Sequence, residues 1–130
     1  VLDGAVTGSG MFVPLAPVRV LDTRPAYGGS GAVGPSAVKS LAMTGVGGVP
    51  VSGVSGVVLN VTAVASAGGF LTVYPADVGV PNASNVNFTA GQVVPNLVAV
   101  KLSGAGVVAI RNGSPGSTNV IADVAGYFTS

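Results

Sequence analysis

The sequence contains no cysteine, histidine, tryptophan or glutamate. The absence of cysteine excludes disulfides and thiolate metal sites. The absence of histidine and glutamate removes the commonest general acids and bases, so aspartate, lysine, tyrosine and serine remain as candidates for catalysis. Both lysines, Lys39 and Lys101, lie in predicted strands without a surrounding nucleophile motif. We therefore expect a domain that is not an enzyme and has no catalytic residues.

Charged residues are also scarce, since they make up 7% of the chain, against about 25% in a typical globular protein. The formal net charge is +1, and the five bases are scattered as Arg19, Arg24, Lys39, Lys101 and Arg111. Nucleic acids and anionic membrane surfaces are bound by clustered bases, so neither is an expected partner. No apolar stretch approaches the roughly 18 residues of a membrane span, so we expect no membrane insertion. A neutral partner fits this composition best.

The length of 130 residues is typical of a single domain. Residues 1–10 end in small residues and are predicted to be a linker or a lead-in strand, whereas residues 11–130 form the domain. The chain begins at Val1 without the basic and apolar regions of a signal peptide, so we expect any signal peptide to lie upstream. We therefore expect the chain to be one piece of a longer protein with flanking domains.

The 21 glycines and 9 prolines leave almost no room for helices. Between these residues lie short, valine-rich segments whose spacing is typical of an all-β sandwich or barrel. We predict a single antiparallel β-sandwich, either jelly-roll or immunoglobulin-like, with about eight strands. The predicted strands are residues 18–21, 38–43, 57–64, 70–74, 85–89, 97–102, 107–111 and 120–128.

Alternation within these segments predicts which side chains face the core. In residues 57–64, Val57, Leu59 and Val61 share one face, which we expect to be buried. Asn112 and Gly113 are predicted to form a tight turn, because this pair readily adopts positive φ. The four Asn-x-Ser/Thr sequences are expected to be unglycosylated, with side chains that satisfy backbone groups of loops and edges; they begin at Asn60, Asn82, Asn87 and Asn112.

Five segments together resemble a module that is repeated in large secreted actinobacterial proteins. They are PVRVLDTRP at 17–25, GVVLNVTAV at 56–64, FLTVYP at 70–75, SNVNFTAGQVVPNLV at 84–98 and IADVAGYF at 121–128. The resemblance covers nearly all of residues 11–130. It implies a secreted or cell-surface accessory module without an enzymatic activity of its own, placed beside hydrolases, amidases or further repeats.

The densest charge in the chain is RVLDTR, which contains Arg19, Asp22 and Arg24. One interpretation is an ion-pair cluster that joins this strand to the last one, with Asp123 as the second acid. The other is a binding site in which Arg24 and Asp22 hydrogen bond to sugar hydroxyls, because the planar fork of arginine fixes orientation. Alternation places Asp22 and Arg24 on one strand face and Arg19 on the other. Because both acids have such roles, we do not expect Asp22 and Asp123 to be a glycosidase pair.

Aromatic residues divide into a predicted core set and a predicted surface set. Phe70 and Phe88 are expected in the core, whereas Tyr27, in a glycine-rich loop, and Tyr74, before a proline, are expected to expose rings for stacking on sugar. No metal or cofactor is expected, because calcium sites need several carboxylates within one loop and the aspartates are far apart in sequence.

These observations favour a secreted, non-catalytic module that binds a neutral polysaccharide or cell-wall glycan. The predicted ligand-binding residues are Tyr27, Tyr74, Arg24 and Asp22. The alternative is a structural stalk or assembly repeat with no small ligand. The hydrophobic fraction of 48% is generous for one small core, so a homo-oligomer is a further expectation.

Overall fold

The computed structural model describes residues 10–130, which form eight β-strands. The strands are β1 (Phe12–Asp22), β2 (Val38–Ala42), β3 (Val54–Ala65), β4 (Gly69–Pro75), β5 (Val86–Phe88), β6 (Val93–Lys101), β7 (Val107–Asn112) and β8 (Thr118–Thr129). One 3₁₀ turn, Pro25–Tyr27, follows β1, and no helix in these residues is long and apolar enough to cross a membrane. The predicted linker or lead-in strand lies outside the described residues except for Gly10.

The eight strands form two antiparallel sheets of four. The first sheet has the order β1-β8-β3-β6 and the second has the order β2-β7-β4-β5. This order, in which the chain repeatedly crosses from one sheet to the other, is that of an eight-stranded jelly roll. The predicted all-β sandwich is therefore confirmed, and the strand order favours the jelly-roll form over the immunoglobulin-like one.

The core lies between the two sheets and is filled mainly by valine, whose branched side chain packs well on a pleated surface. Val57, Leu59 and Val61 of β3 are fully buried, so the predicted inward face is confirmed. Leu71 of β4 and Ile110 of β7 meet them from the second sheet, and both are fully buried. The outer face of each sheet therefore carries the alternate side chains.

Strand β1 is an edge strand with a register shift that changes which side chains share a face. Arg19 pairs with Asp123 of β8 and Asp22 pairs with Ile121, with the shift between Arg19 and Leu21. One extra residue in β1 places Arg19 and Asp22 on the same outer face. The prediction that Arg19 points away from Asp22 was wrong, because strict alternation does not allow for a bulge.

The connection between β4 and β5, residues 76–85, crosses the outer face of the second sheet. At its start, the backbone N–H of Ala76 donates to the Val107 carbonyl at 3.2 Å. At its end, the Thr72 hydroxyl donates to the Ala83 carbonyl at 2.7 Å, and Asn85 Oδ1 accepts from the Val73 N–H at 2.7 Å. Both ends of the connection are thus tied to the sheet, and its middle stands over β4 and β7.

Candidate functional site

The charged residues at the end of β1 bond to one another. We call Arg19, Asp22, Arg24, Tyr27 and Asp123 the corner cluster. Asp22 accepts from Arg24 Nε at 2.9 Å and Nη2 at 2.8 Å, and from the Arg24 backbone N–H at 3.2 Å. This two-point contact uses the planar fork of the guanidinium. The fork that was expected to bind sugar hydroxyls is therefore occupied by Asp22.

The hydrogen bonds from Arg24 also set the protonation of Asp22. They are the largest influence on this carboxyl, and they lower its pKa from 3.8 to about 2 although burial acts in the opposite direction. The side chain of Asp22 is only 9% exposed, so its negative charge depends on this partner. Asp22 is thus an ionised structural group at neutral pH.

Arg19 joins β1 to β8 through the second acid of the corner cluster. Its Nε donates to Asp123 Oδ1 at 2.9 Å, and its Nη1 lies 3.6 Å from Asp22 Oδ2. Asp123 is 22% exposed. The first interpretation of these charges, an ion-pair cluster that joins the first and last strands with Asp123 as the second acid, is therefore confirmed.

Tyr27 is exposed, as predicted, but one face of its ring is covered. The exposed fraction of the residue is 66%, and the guanidinium carbon of Arg24 lies 3.9 Å from the ring centre. A cation at this distance is attracted by the ring electrons, so Arg24 and Tyr27 hold each other in place. Three predicted ligand residues, Asp22, Arg24 and Tyr27, therefore lie together, and only one ring face remains open.

Tyr74, the fourth predicted ligand residue, lies apart from the others and is buried. Only 6% of it is exposed, so the prediction of an accessible ring was wrong. Tyr74 pairs with Ala109 on the second sheet, and alternation places it with Thr72 on the outer face, which the 76–85 connection crosses. The path of that connection is a tertiary feature that the residues around Tyr74 do not reveal.

A groove of about 490 Å³ opens between the 76–85 connection and the outer face of the second sheet. Phe70, Thr72 and Arg111 line it from the sheet, and residues 80–84 line it from the connection. Gly79 and Pro81 keep this connection from continuing either neighbouring strand. The groove thus combines apolar surface from Phe70, an amide from Asn82 and a guanidinium from Arg111.

Phe70 is half-buried at the groove rather than in the core, so its predicted core position was wrong. Its neighbour Leu71 takes the inward position on β4. The ring packs against the backbone of Gly113, where a Cβ would lie 2.6 Å from it. Glycine at this position, just after β7, therefore lets the ring approach the backbone closely and border the groove.

Arg111 and Asn112 are adjacent in β7 and face opposite directions. Arg111 is half-buried in the groove, and no carboxylate among residues 10–130 forms an ion pair with it. Asn112 is fully buried, and its amide donates to the carbonyls of Val33 and Gly116 at 2.9 and 2.8 Å. The first side chain is available to a ligand, and the second stabilises the fold.

Asn112 is the centre of a buried polar network rather than part of a tight turn. Its Oδ1 accepts from the Ser114 hydroxyl at 2.8 Å and from the Thr118 hydroxyl at 3.2 Å. Neither Asn112 nor Gly113 has a positive φ, so the predicted turn was wrong. The expectation that asparagine side chains satisfy loop backbone groups is confirmed at this residue.

The groove residues Arg111, Phe70, Asn82 and Ser84 were not among the predicted ligand residues. The available signals were weak: the outward position of Arg111 next to Ile110, and a connection with glycine and proline between two strands. Residues 10–130 contain no group of three His, Cys, Asp or Glu side chains that could hold a metal ion. The chain matches no protein-family model, no curated protein and no solved structure, so both sites are interpreted from their own chemistry.

Proposed function

We propose that the protein is a non-catalytic accessory module, secreted or held at the cell surface, that binds a polysaccharide or cell-wall glycan in the groove. The observation that carries this proposal is the set of side chains around one open space: an aromatic ring, a guanidinium, an amide and a hydroxyl. Ligand sites commonly combine apolar surface with a few convergent polar groups. Secretion is supported by the resemblance to secreted actinobacterial modules.

The groove suits a sugar better than the corner cluster does. Sugars offer hydroxyl groups that need unsatisfied hydrogen-bonding partners, together with a flatter apolar face. Asn82, Ser84 and Arg111 supply polar groups beside the groove, and Phe70 supplies a ring. In the corner cluster the guanidiniums already donate to Asp22 and Asp123. A ligand there would have to displace bonds that the protein makes to itself.

Retention on insoluble polysaccharides tests this proposal. The probes are cellulose, chitin, α- and β-glucans and peptidoglycan, and the variants are Phe70→Ala and the pair Asn82→Ala with Ser84→Ala. We expect retention on at least one polymer and loss in both groove variants. Tyr27→Ala is the matched control at the corner cluster and should be retained. Retention on none of the polymers, or retention that only Tyr27→Ala abolishes, would overturn the proposal.

A structural repeat is the second candidate, favoured by apolar side chains on an edge strand. Val93 and Leu97 of β6 are 64% and 62% exposed on the outer face of the first sheet. Exposed apolar edges promote contacts between copies, although Pro95 lies between these two residues and weakens strand pairing. Sedimentation equilibrium separates the candidates: a stable oligomer that Leu97→Lys dissociates supports the structural role, and a monomer at all concentrations contradicts it.

A further inference from the structure

Arg111 is set apart from the other charged residues that the structure describes by its environment. Arg19 and Arg24 are each bonded to an aspartate. Lys101 and the half-buried Lys39 lie on edge strands, and neither lines the groove. Arg111 is half-buried in a groove to which residues 10–130 contribute no acid. Asp77, at the start of the 76–85 connection, does not line the groove. Its carboxylate accepts from the Gly104 N–H at 3.0 Å. The groove therefore carries one uncompensated positive charge.

A partly desolvated guanidinium without an acid favours an anionic partner over a neutral one. Charge-assisted hydrogen bonds are roughly twice as strong as neutral ones, and the arginine fork matches the two oxygens of a carboxylate or phosphate. The wall opposite Arg111 offers the amide of Asn82 and the hydroxyl of Ser84. These neutral groups can bond to the sugar ring while Arg111 holds an acidic substituent.

We infer that the groove recognises an oxyanion carried by the glycan, with Arg111 as the residue that binds it. This inference rests on the proposed function and changes one expectation from the sequence. A neutral ligand was predicted because the five bases are dispersed along the chain. Dispersed bases do argue against binding of a long polyanion, which needs many charge contacts. A single acidic group per binding site needs only one base, and Arg111 supplies it within a concave surface.

Three matched monosaccharides test the inference: glucuronate carries a carboxylate, glucose 6-phosphate carries a phosphate, and glucose carries neither. Each is titrated into the isotopically labelled protein while the Nε–H resonance of Arg111 and the amide resonances of residues 80–84 are followed. We expect saturable shifts with one or both acidic sugars. Which acidic sugar binds more tightly decides between carboxylate and phosphate. Arg111→Gln should weaken this binding at least about tenfold.

Two further variants separate recognition from general charge effects. Lys101→Gln removes the same charge outside the groove and should leave the affinity unchanged, whereas Arg111→Lys keeps the charge, loses the fork and should bind with intermediate affinity. Equal binding of glucose and the acidic sugars, unaffected by Arg111→Gln, would overturn the inference but leave the proposed function standing. The absence of shifts with both acidic sugars would also overturn it, while polysaccharide retention tests the proposed function separately.

Discussion

The corner cluster and the groove contain the same kinds of side chain, arginine and an aromatic ring, yet they differ in what those side chains bond to. At the corner, Arg24 donates to Asp22 and covers the ring of Tyr27. In the groove, Arg111 and Phe70 border open space, and none of the described residues that line it is an acid. The densest charge in the chain therefore stabilises the fold, and an isolated charge is the better candidate for a ligand.

The contrast is sharpest between two neighbours in β7. Asn112 is buried and bonded to the protein itself, whereas Arg111 borders the groove and can bond to a ligand. Asn112→Ala removes the hydrogen bonds to three backbone carbonyls and leaves the buried Ser114 and Thr118 hydroxyls without their shared acceptor. We expect a loss of about 3 kcal/mol in the free energy of unfolding, measured by urea denaturation. Asn82→Ala, on the exposed connection, is the control and should change it by less than about 0.5 kcal/mol. If both variants lowered the free energy of unfolding equally, the structural role of Asn112 would be contradicted.

Asp22→Asn breaks the corner cluster without changing its shape. The amide cannot accept two hydrogen bonds from Arg24 as an anion does, so we expect the Tm at pH 7 to fall by several degrees. Asp77→Asn, which alters an exposed carboxylate, is the control and should have a smaller effect. A ligand site at the corner, rather than a structural one, would show an unchanged Tm together with lost glycan retention.

The same carboxyl predicts how stability depends on pH. Because the pKa of Asp22 is lowered from 3.8 to about 2 in the folded state, the unfolded chain binds more protons between these values. The stabilisation from Asp22 is fully present above about pH 4 and is lost as the pH falls through 2. Wild-type unfolding measured from pH 5 to 2 should therefore show a steeper decline than that of Asp22→Asn. Parallel curves would show that Asp22 carries no such shift.

Gly113→Ala tests the fit between the Phe70 ring and β7. The added methyl group would lie 2.6 Å from the ring, so the ring must move toward the groove. We expect the free energy of unfolding to fall by about 1 kcal/mol, which is low for overpacking because the ring has open space to enter. We also expect weaker glycan retention. Gly104→Ala, where a Cβ meets only Asp77 Oδ2 at 3.9 Å, is the control for adding a methyl group. If Gly113→Ala did not change glycan retention, Phe70 would not be part of the binding site.

Arg111→Gln should have the smallest effect on stability, because no ion pair among residues 10–130 depends on this side chain. We expect a change within about 0.5 kcal/mol in the free energy of unfolding. This variant can therefore be used for binding experiments without concern for folding. A loss comparable to that of Asn112→Ala would show that Arg111 is structural.

The sequence was sufficient to predict eight strands and the inward face of β3, because alternation and the positions of glycine and proline are local signals, but it wrongly placed Phe70 of β4 in the core. Strand β1 begins earlier than predicted, at Phe12, because an edge strand tolerates Pro14 and Pro17. An ion-pair cluster that joins the first and last strands through Asp123 was one of the two interpretations, since so few charges leave few possible partners; the sequence did not show which arginine bonds to Asp123.

The groove could not be predicted in the same way. Its existence depends on where residues 76–85 cross the second sheet, and that path is held by contacts such as Thr72 to Ala83. Tyr74, whose ring was expected at the surface, is buried on this same outer face. The bulge that turns Arg19 toward Asp22 is likewise invisible to alternation.

Chemical-shift mapping tests the central claim, that the groove and not the corner cluster binds the ligand. The probe is a soluble fragment of whichever polysaccharide retains the protein, added to the labelled wild-type domain. Our account predicts that the backbone amides of residues 70–72, 80–84 and 111 shift, while those of residues 22–29 do not. Shifts confined to residues 22–29, around Asp22, Arg24 and Tyr27, would contradict it.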